Sequence, residues 1–133
     1  MDQPTPARAY SLLTGAFLCL FGLASLLVAG DFRIGDDVAE GRGDLIGLDV
    51  NGWTAAFVLG VGAAGLIAAR AGAGTAFAFV GGAGLAAAGV LARRAGDDGV
   101  RFDRFAVDDG TGLVLFVLGV LGLVAGLATL RGR

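Results

Sequence analysis

The chain has 133 residues, of which 56% are hydrophobic, and its mean hydropathy is +0.78, whereas soluble domains are about 45–50% apolar. It contains ten Arg but no Lys and no His, and its formal net charge is −2. These values exclude an ordinary soluble domain, and we expect no nucleic-acid partner and no cofactor.

Four stretches of 20 to 22 residues contain no charged residue. A helix needs about 20 mostly apolar residues to cross a bilayer core of roughly 30 Å. A soluble four-helix bundle would instead need a polar stripe on every helix, and the run GTAFAFVGGAGLAAAGVLA offers none. The sequence therefore predicts an all-α membrane protein, a single domain over 1–133 with four transmembrane helices, at about 9–30, 50–69, 71–92 and 110–130.

The first of these stretches is predicted to be a retained span. Its apolar run is longer than the roughly 7–15 residues of a signal-peptide core. It also contains Cys19, the one cysteine of the chain, so no disulfide can form within the chain. We interpret Cys19 as a small buried apolar residue.

Two loops, at 31–49 and 93–109, hold eleven of the twelve acidic residues. An acidic surface without Lys suggests a halophilic archaeon, or otherwise an actinobacterium with a GC-rich genome. Each loop ends in an alternating run, at 44–50 and 100–107, and such alternation is typical of strands. A small sheet joining the two loops and an irregular pair of loops both remain open.

The aspartates of these loops could also attract a divalent cation. Their spacing lacks the EF-hand pattern and its glutamate at the twelfth position. A solvated acidic surface is therefore the favoured interpretation, and a cation-binding or surface-binding module is a third reading of the function.

The two halves of the chain resemble each other, which predicts two pseudo-repeated hairpins. The pentapeptide FVLGV occurs twice, but a shift of 57 residues matches loop as well as helix positions, including Thr54 with Thr111 and Gly62 with Gly119. Spans one and three match near a shift of 60, through Gly22 and Gly82. The matches in the later part of each half fall mostly on one helix face.

Small residues in the spans predict close helix packing, because lipid provides no hydrophobic drive between helices. One row contains Gly82 and another contains Gly122 and Gly126. We expect the protein to oligomerise, or to dock to a partner, through these rows. The pattern Gly82-x-Gly84-x-x-Ala87 matches a dinucleotide-binding motif, but it lies in the middle of an uncharged span and not after a strand. The candidate site residues are therefore packing positions: Gly62, Gly65, Gly82, Gly119, Gly122 and Gly126.

The spans contain no Asp, Glu, Lys, Arg or His. Ionisable residues inside the membrane usually mark proton relays, ion pathways and substrate sites. An intramembrane hydrolase would need a nucleophile with a base, or metal ligands. We therefore expect no enzyme activity and no proton-coupled flux from the isolated protein, and the sequence identifies no small-molecule substrate.

Two pairs of runs carry a resemblance to a known family. LIGLDVN (45–51) precedes GAAGLIAAR (62–70), and FAVD (105–108) precedes LGVLGLVAGL (118–127). They resemble a domain-of-unknown-function family of small four-span proteins that is common in actinobacteria and occurs in other prokaryotes. The resemblance implies the four-span fold and brings no established activity.

That family typically shows Val-Asn at the entrance of spans two and four, followed by Asn-x-x-His. In this chain Ala55 and Val58 stand at the Asn and His positions of the second span. Gly112 and Leu115 stand at those positions of the fourth span. Any role of the polar residues in relatives would be lost here.

The function predicted from these features is that of a non-catalytic integral membrane protein acting by helix packing. Its partners would be the lipid bilayer and either further copies of itself or another membrane protein. The alternative is a small channel or transport component whose pore forms on oligomerisation.

The orientation follows from charge. Six Arg lie in the two loops and four on the opposite side, which by the positive-inside rule would place the loops in the cytoplasm. The net charges, −5 for the loops and +3 for the other side, favour the reverse. We predict a multi-pass protein of the cell membrane with cytoplasmic termini and acidic loops outside.

Overall fold

The computed structural model describes residues 3–32, 43–97 and 109–132. Each of the four helices in this part of the chain is long enough and apolar enough to cross a membrane. The prediction of an all-helical fold with four helices of membrane-spanning length and composition is therefore confirmed. The helices are α1 (Pro6–Ala29), α2 (Gly52–Arg70), α3 (Gly74–Asp97) and α4 (Asp109–Arg131), and a short hairpin of β1 (Gly43–Leu45) and β2 (Leu48–Val50) precedes α2.

Side-chain caps set the first residues of α1 and α2. The Thr5 hydroxyl accepts a hydrogen bond from the Arg8 N–H at 3.2 Å, and Pro6 occupies the first helical position. The Asn51 side chain accepts from the Thr54 N–H at 2.9 Å. Such caps satisfy amide groups that a helix start leaves without an intrahelical partner. They shift the start of α1 to residue 6 and that of α2 to residue 52.

A tight turn separates α2 from α3. Gly72 has φ +76°, the left-handed conformation that ends many helices, and the Ala73 N–H donates to the Ala68 carbonyl at 2.8 Å. This is the hydrogen bond of a Schellman motif. Because α3 begins at Gly74, α2 and α3 are forced to run antiparallel.

The four helices form two closely packed antiparallel pairs, α1 with α2 and α3 with α4. The bundle therefore has two ends. We call the tail end the one formed by the start of α1, the 71–73 turn and the end of α4. The loop end is formed by the end of α1, the hairpin, the start of α2, the end of α3 and the start of α4.

A central apolar layer receives one large side chain from each helix. It consists of Leu18, Val58, Leu85 and Leu115, all almost completely buried. A smaller cluster of Ala7, Tyr10 and Ala78 lies towards the tail end. The remaining large apolar side chains of the helices are mostly exposed, as expected where the surrounding medium is lipid.

The hairpin lies at the loop end, where the sequence alternates at 44–50. β1 and β2 are antiparallel and pair Leu45 with Leu48. Ile46 and Gly47 both have positive φ, +53° and +79°, which defines a two-residue type I′ turn. The Asp44 carboxylate accepts the Gly47 N–H at 3.1 Å. The second alternating run, 100–107, lies outside the described residues, so a sheet joining both loops stays a prediction.

The hairpin closes the loop end of the bundle. Val50 is fully buried, and Leu48 lines a small apolar void together with Phe17, Val58 and Leu115. Gly43 lies so close to α1 that an added Cβ would be 2.6 Å from the Ala29 Cβ. The hairpin therefore packs on the bundle before α2 begins.

Replacing Ile46 tests the turn geometry. Ile46 is β-branched, 81% exposed and has φ +53°, a conformation that costs an L-residue roughly 1–2 kcal/mol and that Asn tolerates better. Ile46→Asn should raise the free energy of unfolding in mixed micelles by about 1 kcal/mol.

The matched comparison is Gly47→Val, which introduces a β-branched residue at the second left-handed position of the turn. This variant should lower the free energy of unfolding. A loss of similar size in both variants would contradict the type I′ assignment.

Candidate functional site in the helix contacts

The pair α1–α2 is held by direct contact between helix backbones. A Cβ added to Gly15 would lie 2.8 Å from the Gly62 carbonyl oxygen and 2.9 Å from the Leu66 nitrogen. A Cβ added to Gly62 would lie 2.7 Å from the Cys19 nitrogen. Real Cβ atoms are not found at these distances, so only glycine permits this approach.

The pair α3–α4 contains the same type of contact. A Cβ on Gly82 would lie 2.9 Å from the Gly119 carbonyl oxygen and 3.1 Å from the Leu123 nitrogen. Gly89 is tighter still, with the Gly112 oxygen 2.5 Å from such a Cβ. Both helix pairs therefore depend on glycine at the points where the two backbones meet.

The contacts of the two pairs correspond residue by residue. Gly62 and Leu66 of α2 match Gly119 and Leu123 of α4, 57 positions later, which is the shift found in the sequence. On α1 and α3 the corresponding residues are Gly15 and Gly82, 67 positions apart. The equivalent contacts therefore do not follow the predicted shift of 60, which had placed Gly22 opposite Gly82.

The other predicted packing glycines contact aromatic rings. Gly65 on α2 lies against Phe77 of α3, whose Cζ would be 2.9 Å from an added Cβ. Gly122 on α4 lies against the ring of Tyr10 on α1, whose Cζ would be 2.7 Å from an added Cβ. These two contacts join one helix pair to the other, whereas Gly126 of α4 meets the ring of Phe79 within the second pair.

Hydroxyl groups add interhelical hydrogen bonds near the tail end. The Ala7 N–H donates to Thr129 Oγ1 at 2.9 Å, which ties α1 to the end of α4. The Tyr10 hydroxyl donates to the Leu118 carbonyl at 2.8 Å. Ser11 Oγ donates to its own helix at Ala7 and lies 3.2 Å from the Gly74 carbonyl. In lipid such groups must find partners within the protein.

All six candidate glycines thus have partners within the chain. The expectation that Gly82 and Gly122 face a second protein does not fit this arrangement, because the Gly119 backbone and the Tyr10 ring occupy their open sides. Two helical glycines that were not selected, Gly60 and Gly84, have no neighbouring atom within 4 Å of an added Cβ. To find them from the sequence, one would need to know which face of each helix points outwards. A uniformly apolar span does not reveal this.

Two apolar spaces lie beside α1 and α4. One is the small void beneath Leu48. The other is an open lateral groove of about 320 Å³ lined by Phe17, Leu113, Val114, Val117 and Leu118. Neither is lined by an ionisable side chain. In the described ranges, no three His, Cys, Asp or Glu residues meet in a group that could hold a metal ion.

The positions at which the resembled family carries Asn and His face the interior. Ala55 and Val58 are buried on α2, and Gly112 and Leu115 are buried on α4. In this chain they contribute only apolar packing. Comparison with protein-family models, curated proteins and solved structures finds no match, so the family resemblance stays a prediction.

The backbone contacts predict unequal effects of one added methyl group. Gly119→Ala places a Cβ against the backbone of Gly82 and Ala86, and overpacking typically costs about 1–3 kcal/mol. Gly60→Ala meets no atom and should leave the free energy of unfolding unchanged or raise it, because Ala favours helix.

Titration of both variants with denaturing detergent in mixed micelles measures this difference. Equal unfolding free energies for Gly119→Ala and Gly60→Ala would contradict the packing of α3 on α4.

Proposed function

We propose that this protein is a non-catalytic integral membrane protein that acts by helix packing and associates with a second copy of itself through the outer faces of α2 and α3. The observation that carries the proposal is the open surroundings of Gly60 and Gly84. Thirteen other helical glycines whose surroundings are described each have a neighbour at contact distance.

Gly60 and Gly84 lie at the same depth. Each is ten residues from the turn that joins their helices, counted from Arg70 and from Gly74. At about 1.5 Å per residue this is about 15 Å, which is half of a bilayer core of roughly 30 Å. Both glycines therefore open towards the middle of the bilayer, where close packing is the main source of helix association.

The exposed surface differs in side-chain size around the bundle. The outer faces of α2 and α3 carry many small residues, among them Ala56, Ala63, Ala64, Ala83 and Ala87. The outer faces of α1 and α4 carry large ones, among them Leu13, Leu20, Leu27, Leu121 and Val124. Large flexible side chains suit contact with lipid chains, whereas small ones let a second backbone approach.

We also infer that the two hairpins are repeats of one ancestral unit. The corresponding contacts of Gly15 with Gly62 and of Gly82 with Gly119 support this inference. The partners are 47 residues apart in the first unit and 37 in the second. The segment between the partners is therefore ten residues longer in the first unit, which accounts for the two different shifts.

Association is tested by adding bulk at the open glycines. Gly60→Leu and Gly84→Leu should each weaken self-association by about tenfold or more, since 1.4 kcal/mol corresponds to a factor of ten. The measurement is energy transfer between labelled copies in liposomes over a range of protein-to-lipid ratios.

The matched control is Ala16→Leu, which adds similar bulk to an exposed position of α1 and should leave association unchanged. A wild-type protein that stays monomeric at every ratio and purifies without another chain would refute the proposal. If a different membrane protein were recovered with it in fixed proportion, the partner would be that protein and not a second copy, and the role would be that of an accessory subunit.

For the orientation in the cell membrane, we propose cytoplasmic termini and external acidic loops. Three exposed arginines, Arg8, Arg70 and Arg131, lie at the tail end. The loop end carries Arg93 and Arg94 together with the acidic residues. A positive end close to the membrane favours the cytoplasmic side.

Cysteine labelling tests this orientation after Cys19→Ser. Gly43 is a poor labelling site because a Cβ there meets Ala29, whereas Ile46 and Ala73 are exposed at opposite ends. Ile46→Cys should react with a membrane-impermeant maleimide on intact cells, and Ala73→Cys only after lysis. The reverse pattern would place the acidic loops in the cytoplasm.

A further inference from the structure

Three arginines from separate helices lie at the tail end of the bundle. Arg8 lies in the first turns of α1, Arg70 is the last residue of α2 and Arg131 is the last residue of α4. All three side chains are exposed. We call this group the arginine cluster.

The packing of the backbone fixes where these arginines emerge. The Ala7 N–H donates to Thr129 Oγ1, which places the residue before Arg8 beside the helix that ends at Arg131. A Cβ added to Gly74 would lie 3.1 Å from the Arg8 Cα. The tight turn connects Gly74 to Arg70 within four residues. The positions of the cluster therefore depend on rigid helices and not on a loop.

No described acidic residue lies at this end. In the described ranges every Asp belongs to the loop end, at positions Asp31, Asp44, Asp49, Asp97 and Asp109. The arginine cluster is thus separated from the described Asp positions by the length of the helices. At about 1.5 Å per residue, the 19 residues of α2 span about 28 Å, well beyond the roughly 8 Å Debye length of physiological salt.

An apolar collar adjoins the cluster on the membrane side. Leu13 is 73% exposed on α1 and Ile67 is 66% exposed on α2, each within two turns of an arginine. Leu127 and Leu130 are exposed on α4, next to Arg131. Guanidinium groups above an exposed apolar surface match a phospholipid, whose phosphate lies at the interface above its acyl chains.

We propose that the arginine cluster binds the phosphate headgroup of an anionic phospholipid, whose acyl chains lie along the apolar collar. Guanidinium groups form paired charge-assisted hydrogen bonds with phosphate oxygens. The three arginines lie at the same end of α1 and of the two helices packed against it, α2 and α4, so that one layer of headgroups faces all of them. The site belongs to one copy of the chain and does not depend on self-association.

The test uses the full chain, purified in a nonionic detergent and depleted of lipid. It is titrated with phosphatidylglycerol, with phosphatidylcholine and with inorganic phosphate, and bound lipid is counted by native mass spectrometry. We expect wild-type protein to bind phosphatidylglycerol at least about tenfold more tightly than phosphatidylcholine. Each of Arg8→Gln, Arg70→Gln and Arg131→Gln should lower phosphatidylglycerol affinity roughly fivefold, and the triple variant should show no preference.

The matched control is the double variant Arg93→Gln/Arg94→Gln, which removes two exposed arginines from the loop end and should keep the preference. Circular dichroism confirms that each variant remains helical, and the single variants decide the result if the triple variant does not fold. Equal binding of both lipids by wild-type protein, or an equal loss in the control, would overturn the proposal. Displacement of phosphatidylglycerol by inorganic phosphate at similar concentration would also overturn it, because the acyl chains would then contribute nothing.

Discussion

The contact between helix backbones at glycine is the interaction on which the rest of this structure depends. Lipid chains are as apolar as leucine side chains, so burial from water cannot hold these helices together once they are in a bilayer. What remains is dispersion over closely fitted surfaces and a few hydrogen bonds. Gly15 with Gly62, and Gly82 with Gly119, bring two backbones to a distance at which many atoms meet. Within each hairpin the two helices are therefore packed more closely than the two hairpins are packed on each other.

The packing between the two units is of a different kind, and the hairpin takes part in it. Near the tail end, Tyr10 fills the space beside Gly122 and donates to Leu118. Near the loop end, Leu48 and Val50 of the hairpin lie over the apolar interior. Hydrogen bonds of side-chain hydroxyls thus join the two units near the tail end, and the hairpin covers the apolar interior at the loop end. An extended loop would leave the apolar layer around Leu115 open to water.

The four spans could be predicted because bilayer thickness sets a minimum length for a membrane-spanning helix. An uncharged apolar run can be compared directly with that length. The helix starts depended on Thr5 and Asn51, whose capping bonds are local and could have been read from the sequence. Hydropathy alone does not distinguish the inward faces of these helices. Gly60 and Gly62 differ by two residues, about 200° of helix rotation, and only one of them meets another helix. In a soluble helix a polar stripe would have separated them, whereas here both neighbourhoods are apolar. The predicted shift of 60 between α1 and α3 was wrong for a related reason. Glycines recur in these helices at several spacings, and each of them could form a helix interface.

In a soluble bundle, polarity distinguishes the inner face of a helix from its outer face. In this molecule, side-chain volume makes that distinction. Around the bundle, positions differ by size: glycine where backbones meet, large leucines and valines on the outer faces of α1 and α4, and many small residues among fewer large ones on those of α2 and α3. Along the helix axes, the ends differ by charge, with Arg8, Arg70 and Arg131 at one end and the described aspartates at the other. The two gradients act on different neighbours. Charge acts on headgroups and on the orientation across the membrane, whereas volume acts on whatever lies beside the helices within the bilayer. A substitution that changes size without changing charge, such as one at Gly60, should therefore alter lateral association and leave the orientation unchanged.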